Sequence, residues 1–100
     1  MSIRFLGDAD LNHFIIEGSL RQERVLDFML AVDAGLPGRP DPDVLAIAAR
    51  FDRVLVSHDD RTMPVHFARF LRDGNRSPGV LLISQSVRVS QCALQLIPYF

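Results

Sequence analysis

The sequence predicts an α/β fold, with three α/β/α layers around a central, mainly parallel sheet of about four strands. Two observations carry this prediction. Short apolar runs alternate along the chain with segments whose apolar residues recur at helical spacing. The run at residues 80–83 is continuously apolar, which is typical of a strand covered on both faces. One hundred residues, 48% of them hydrophobic and 23% charged, suit one globular domain spanning residues 1–100.

The first half of the chain begins with a strand over residues 3–6. A rough helical stripe of apolar residues follows over 11–20, and a second strand is predicted over 25–32, although that segment also fits a helix. Residues 33–42 form the only Gly/Pro-rich loop. We therefore expect a strand, a helix and a second strand before this loop.

The loop delivers the clearest helix start in the sequence. Asp41 is predicted as the N-cap, with Pro42 at the first helical position and Asp43 in the first turn. The residues at helical spacing behind it are Val44, Leu45, Ile47, Ala48 and Phe51.

The second half repeats the alternation. A third strand is predicted over 53–57, and the apolar stripe that follows it predicts a helix. A fourth strand is predicted over 80–83. A last helix is predicted from about Ser90 and ends at Pro98. The stripe consists of Met63, Phe67, Phe70 and Leu71, and residues 73–75 (Asp-Gly-Asn) stop that helix.

Composition limits the functional classes. The single cysteine, Cys92, excludes an internal disulfide and a multi-cysteine zinc cluster. The first ten residues include two acids and have no apolar signal core. From these two observations we expect a cytoplasmic protein. The longest uncharged stretch, residues 89–100, is shorter than the roughly 20 residues of a membrane span. A net charge of −1 gives no overall attraction to nucleic acid, and all eleven basic residues are arginine.

Carboxylates follow two of the predicted strands. Asp8 and Asp10 come after the first strand, and Asp59 and Asp60 come after the third. Ligands of parallel α/β sheets bind beyond the carboxyl ends of the strands, so four carboxylates meet at one edge if these strands are neighbours. Asp41 joins them if its loop folds back toward that edge.

A cluster of carboxylates at this edge indicates that a cation binds there. Two carboxylates about 4 Å apart repel by roughly 4 kcal/mol at an effective dielectric constant near 20, so the cluster must hold protons or a positive ion. Oxygen ligands suit Mg²⁺ or Mn²⁺, and the chemistry that follows is metal-assisted hydrolysis, most often of phosphodiesters.

Each candidate also has a structural interpretation. Asp10 and Asp41 can serve as helix caps, Asp60 can be a solvated neighbour of Asp59, and Ser57 either adds a hydroxyl to the site or closes its strand. The histidines, which lack ligand spacing, are interpreted as surface or core residues, and Cys92 as a small buried hydrophobe. These histidines are His13, His58 and His66.

Three stretches of the sequence resemble the small PIN-like domains of the PIN nuclease superfamily. They are IRFLGDADLN near the start, GLPGRPDPDVLAIAARFDRVLVSHDDRTM in the middle and SPGVLLIS afterwards, covering residues 3–84 in order. The middle stretch is the most specific, because it combines an Asp that opens a helix with a strand that ends in Ser-x-Asp.

This resemblance implies that Asp8, Asp41 and Asp59 are the catalytic acids and bind Mg²⁺ or Mn²⁺, and that the substrate is single-stranded RNA. Asp60, which belongs to the carboxylate cluster described above, is the fourth candidate metal ligand. The resemblance further implies a toxin of a toxin–antitoxin pair, with an antitoxin protein as partner and a homodimer as the assembly. On the same hypothesis, Arg39 and Arg61 contact phosphate.

The sequence departs from the family at Arg61, where many relatives carry a further Asp, and it has no clear equivalent of a later acid. The alternative is therefore a catalytically inactive PIN-like module that binds RNA or a protein partner. A response-regulator receiver domain has a similar arrangement of acids but uses a lysine after a late strand, and this chain contains no lysine.

Overall fold

The computed structural model describes residues 3–11 and 27–83. Its strands are β1 (Arg4–Gly7), β2 (Asp27–Met29), β3 (Val54–Ser57) and β4 (Val80–Leu82), and its helices are α1 (Ala31–Ala34), α2 (Asp41–Arg50) and α3 (Met63–Arg72).

The four strands form one parallel sheet in the order β2-β1-β3-β4. Leu6 of β1 pairs with Leu55 of β3, and Leu55 pairs in turn with Val80 of β4. The chain leaves β1 toward β2 on one side and leaves β3 toward β4 on the other, so the strand order reverses between β1 and β3. The predicted parallel sheet is confirmed, and its ligand-binding switch point lies where the first and third strands end.

Each face of the sheet carries its own apolar core. On one face, Leu6 and Leu55 are buried against residues of α2, of the loop before it and of α3: Leu36, Val44, Leu45, Ala48 and Met63. On the other face, Phe5 and Val56 are buried together with Leu11 and Ile83. Adjacent strand residues point to opposite faces, so both faces of β1 and β3 are covered. This compact α/β fold is consistent with the predicted three layers.

An arginine ties three strands together at the opposite, amino edge of the sheet. Arg53, whose side chain is 12% exposed, donates through Nη1 to the Phe5 carbonyl at 3.0 Å and to Asp27 Oδ1 at 2.7 Å. Asp27 also lies 3.6 Å from Arg4 Nε. These contacts link the beginnings of β1, β2 and β3, which leaves the carboxyl edge free for a site.

Three sequence predictions about elements need correction. The strand expected to continue to Val32 ends at Met29, and Ala31 and Val32 belong to α1. Asp41 is the first residue of α2, not its N-cap: Pro40 has the extended conformation (φ −69°, ψ 158°) that precedes the helix, and no side chain caps it.

The third correction concerns burial, because some residues of the predicted apolar faces are exposed. Phe51 follows the last residue of α2 and is 37% exposed, Leu71 of α3 is 45% exposed, and Leu82 of β4 is 39% exposed. The spacing of apolar residues predicts which face of a helix or strand is apolar. How far each residue on that face is buried depends on the elements that pack against it.

The helix predicted beyond Leu11, the last helix from Ser90, His13 and Cys92 fall outside the described residues. None of the helices within residues 3–11 and 27–83 has the length and apolar character required to cross a membrane.

Candidate functional site

Asp8 is fixed at the carboxyl edge by the sheet itself. Its backbone N–H donates to the Val56 carbonyl at 2.9 Å, which continues the β1–β3 ladder one residue past Gly7. The carboxyl group that follows therefore stands at the switch point, next to the end of β3.

Ser57 holds the Asp8 carboxylate in place. The Ser57 hydroxyl donates to Asp8 Oδ2 at 2.9 Å, and the Ala9 N–H donates to Asp8 Oδ1 at 2.7 Å. The same hydroxyl accepts from the Asp59 N–H at 3.0 Å. Ser57 is 1% exposed, and it is the only buried polar residue in the described part of the chain. Its hydroxyl thus joins the segments that follow β1 and β3.

Burial raises the pKa of Asp8 above its usual value, because a charged carboxylate loses hydration there. The hydrogen bonds from Ser57 and Ala9 act in the opposite direction, and the negative charges of Asp41 and Asp10 raise the pKa further. Asp10 also lines the same cleft as Asp8, so these two acids share this edge.

Asp59 has a different environment. Its Oδ1 accepts from the backbone N–H groups of Arg61 at 3.1 Å and Thr62 at 2.9 Å, and its Oδ2 accepts from the Thr62 hydroxyl. These bonds, led by the Thr62 hydroxyl, lower the pKa of Asp59 to about 2. The carboxylate thereby fixes the turn between β3 and α3.

Asp41 reaches the same place from α2. Thr62 Oγ1 lies 3.4 Å from Asp41 Oδ2, and His66 Nε2 of α3 lies 3.8 Å from that oxygen. The other ring nitrogen of His66, Nδ1, is buried without a hydrogen-bond partner among the described residues. A continuous series of polar contacts therefore runs from Asp8 through Ser57, Asp59 and Thr62 to Asp41.

Two clefts open at this edge. The larger, of about 260 Å³, is lined by Asp8, Asp10, Ser57, His58, Asp59, Asp60 and Arg61. The smaller, of about 130 Å³, is mainly apolar and is lined by Asp8, Ala9, Leu11, Leu30, Ala31, Val32 and Pro37. Asp8 borders both, so it is the central carboxylate of the edge.

His58 makes a structural contact. Its Nδ1 lies 2.7 Å from the Ile83 carbonyl, and since a carbonyl only accepts, the ring donates through Nδ1. This bond ties the loop after β3 to the end of β4, which agrees with the prediction that His58 is a surface or core residue.

The fold brings the predicted acids to one edge without building a ready metal centre from them. Asp8, Asp41 and Asp59 are connected through the hydroxyls of Ser57 and Thr62, and Asp60 is exposed in the larger cleft. Within residues 3–11 and 27–83, no three His, Cys, Asp or Glu side chains form a group that could hold an ion. The assignment of metal ligands stays a prediction.

The donors at this edge nevertheless fit a hard divalent ion. Mg²⁺ usually takes one or two carboxylates and completes its coordination with water, so a set of three protein ligands is not required. Burial is the main reason that the pKa of Asp8 is raised, and a cation bound beside the carboxylate would favour its charged form. The Asp8 oxygens each accept one hydrogen bond, and a carboxylate oxygen has two lone pairs, so the Asp8 carboxylate still has lone pairs for an ion.

Sequence reasoning missed Thr62, which makes the contact between the loop and α2. A signal was available: Pro64 is typical of a first helical turn, so residues just before it are cap positions. Asp59, a few residues upstream, is a residue type whose carboxylate commonly accepts from nearby backbone N–H groups. The approach of Thr62 to Asp41, 21 residues away, has no counterpart in that local pattern.

Comparison of the chain with protein-family models, with curated proteins and with solved structures found no match.

Proposed function

We propose that this chain is a PIN-like, metal-dependent ribonuclease that hydrolyses phosphodiester bonds of single-stranded RNA. One observation supports the chemistry above all others: the half-buried Asp8 stands at the switch point of a parallel sheet, and polar contacts through Ser57, Asp59 and Thr62 connect it to Asp41. A fold retains mutually repelling carboxylates at an opening most readily when a cation compensates them.

In this proposal Asp8 and Asp41 hold Mg²⁺ or Mn²⁺. The ion supplies Lewis acidity and the positive charge that phosphodiester hydrolysis requires. Ser57 keeps the Asp8 carboxylate in one orientation, so the ligand is preorganised and little side-chain entropy is lost when an ion binds. Asp10 and Asp60, both exposed in or beside the larger cleft, add negative charge that attracts cations.

Arginines near the edge give the substrate its contacts. Arg61 lines the larger cleft together with Asp8 and is exposed, so its guanidinium can bind a phosphate that approaches the carboxylates. Arg39, in the loop before α2, is also exposed and is assigned the same role.

The choice of single-stranded RNA, the toxin role, an antitoxin partner, a homodimer and a cytoplasmic location follow from the sequence and its resemblance to PIN-like domains. Light scattering of the purified chain, alone and with a co-expressed partner protein, tests the assembly.

A second function is supported by a specific observation. Both oxygens of Asp59 are occupied by the turn before α3, and Arg61 stands where relatives of the resembled family carry another acid. An edge with fewer free acids favours the alternative, a catalytically inactive module that binds RNA or a protein partner.

The deciding experiment is cleavage of labelled single-stranded RNA with Mn²⁺ or Mg²⁺ and with EDTA. We expect metal-dependent cleavage that Asp8→Asn and Asp41→Asn each reduce at least about a hundredfold, because each removes a charged ligand. Asp43→Asn is the matched control, since Asp43 is exposed in the same first turn of α2.

The outcomes separate the two functions. RNA binding without cleavage, unchanged by EDTA, would support the inactive module. Cleavage that persists in both Asp8→Asn and Asp41→Asn would contradict the assignment of the site.

A further inference from the structure

We infer that the exposed face of α3 binds the phosphate backbone of single-stranded RNA through a set of four arginines, here called the arginine stripe. The stripe consists of Arg61, Arg69, Arg72 and Arg76. The inference rests on the proposed function in taking RNA as the ligand, but it does not require a metal ion. It extends the phosphate contacts from Arg61 at the larger cleft to the other end of α3.

The segment that carries the stripe has the opposite charge to the whole chain. Residues 61–76 contain four arginines and one acid, Asp73, so their net charge is +3 with His66 neutral, whereas the whole chain has a net charge of −1. No acid lies within α3, whereas α2 has Asp41 and Asp43 in its first turn. Positive charge is therefore concentrated along one helix, and such a concentration attracts a polyanion even where the net charge of the protein does not.

The packing of α3 turns its arginines outward. Met63 is buried in the core beneath α3, and Phe67 and Phe70 pack against that core. Because the helix has about 3.6 residues per turn, Arg69 and Arg72 lie on the side away from these three residues, and both are exposed. The helix has 10 residues and is therefore about 15 Å long, which gives its outer face room for several phosphates of a single strand.

The stripe has no acidic partner among the described residues. Within residues 3–11 and 27–83, the cationic members of the ion pairs are Arg4, Arg53 and His66. All four arginines of the stripe are exposed, so their guanidinium groups are accessible to a ligand. Phosphate suits them, because a guanidinium group can donate two parallel hydrogen bonds to phosphate oxygens.

The stripe is continuous with the candidate site. Arg61 lines the larger cleft together with Asp8, and α3 begins just after it at Met63. A strand whose phosphate contacts Arg61 can therefore continue along the helix. Arg69 and Arg72 also lie in the last turn of α3, where positive charge stabilises a helix. The same helix dipole disfavours a positive charge at Arg61, before the first turn, so helix stability does not account for the whole stripe.

The test is binding of a short fluorescein-labelled oligouridylate to the full chain, measured by fluorescence anisotropy in EDTA over a series of KCl concentrations. For single strands, the logarithm of the binding constant falls with the logarithm of the salt concentration, with a slope of about −0.7 for each phosphate contact. We therefore expect Arg69→Gln and Arg72→Gln each to make this slope shallower by about 0.7, and the double variant by about 1.4. Oligoadenylate should give the same differences, because backbone contacts do not distinguish bases.

Arg50→Gln is the matched control, because Arg50 is an exposed arginine at the end of α2, outside the stripe. Its salt slope should equal that of the wild type. A double variant with Arg69→Lys and Arg72→Lys keeps both charges and should also retain the wild-type slope. A loss in this lysine variant equal to that in the glutamine variant would overturn the inference, since charge would not be the cause.

The remaining outcomes separate this inference from the proposed function. An unchanged slope in the glutamine double variant, with RNA binding by the wild type, would overturn this inference alone. Tighter binding of polyglutamate than of RNA would also overturn it and would assign the stripe to an acidic protein partner. A shallower slope in a chain that cleaves no RNA would support the inference and overturn the nuclease, whereas absence of RNA binding by the wild type would overturn both.

Discussion

At the scale of single residues, the candidate site depends on a buried hydroxyl. Ser57 donates to the Asp8 carboxylate and accepts from the Asp59 backbone, so one side chain sets the separation of the segments after β1 and β3. The group is almost wholly inaccessible to water, and water therefore cannot replace it when it is removed. The orientation of Asp8 is thus a property of Ser57 as much as of Asp8.

Ser57→Ala should disturb both segments. Loss of the hydroxyl removes a bond that lowers the pKa of Asp8, so the pKa should rise further above its usual value. The Asp59 N–H also loses its acceptor, and together these losses should reduce the free energy of unfolding by about 1 to 3 kcal/mol. Titration of the Asp8 carboxyl carbon by NMR and unfolding in urea measure the two effects. An unchanged Asp8 pKa would show that the Ser57 bond is not made in solution.

At the scale of elements, the site is positioned by the packing of α2 and α3 against one face of the sheet. Val44, Leu45 and Ala48 of α2 and Met63 of α3 are buried with the Leu6 and Leu55 side chains. Asp41 and Thr62 lie at the starts of these two helices, so their separation is fixed by helix packing instead of by local sequence. The geometry of the candidate site should therefore depend on this core.

Leu45→Ala tests that dependence. Leu45 is 1% exposed, and its truncation should lower the free energy of unfolding by about 2 to 5 kcal/mol through lost burial and the cavity that remains. Leu71→Ala is the matched control, because Leu71 is 45% exposed on α3 and the same truncation there should cost far less. Urea unfolding of both variants gives the comparison. Equal losses would contradict the assignment of the core.

At the scale of the whole molecule, the amino and carboxyl edges of the sheet differ in how their charged side chains are paired. At the amino edge, Arg53 and Arg4 both pair with Asp27. The carboxyl edge keeps acids whose pKa values move in opposite directions: that of Asp8 is raised and that of Asp59 is lowered. The fold stabilises the charge of Asp59 and disfavours that of Asp8. Shifted pKa values of this kind are common at functional sites.

The pH dependence of stability should reveal this difference. The pKa of Asp59 is about 2 in the folded protein against an ordinary 3.8, so its stabilising effect is present above pH 3.8 and is lost as the pH falls through 2. The pKa of Asp8 is raised, so its contribution is fully present below pH 3.8 and is lost as the pH rises through the folded value.

Without metal at pH 7, Asp8→Asn should therefore raise the Tm and Asp59→Asn should lower it. Thermal unfolding from pH 2 to 7 provides the measurement, and both differences should shrink as the wild-type carboxyl becomes protonated. A lower Tm for Asp8→Asn at pH 7 would mean that the Asp8 charge stabilises the fold.

The sequence by itself determined the α/β class, the parallel sheet and the position of Asp8 and Asp59 after the first and third strands. These features follow from apolar periodicity and from the rule that parallel strands end at a common edge, which are properties of short segments. Where a prediction failed, as for Val32 or for Asp41 as a cap, the local pattern suited more than one conformation and packing selected another.

Only the tertiary structure decided which side chains contact each acid. The contact of Thr62 with Asp41 spans 21 residues, and that of Ser57 with Asp8 spans 49. Such pairs are set by strand order and helix packing, and the apolar periodicity of the sequence carries no information about either. The fold binds Asp59 to the loop before α3 and binds Asp8 to Ser57 at the end of β3, and it brings Asp41 of α2 to the same loop through Thr62.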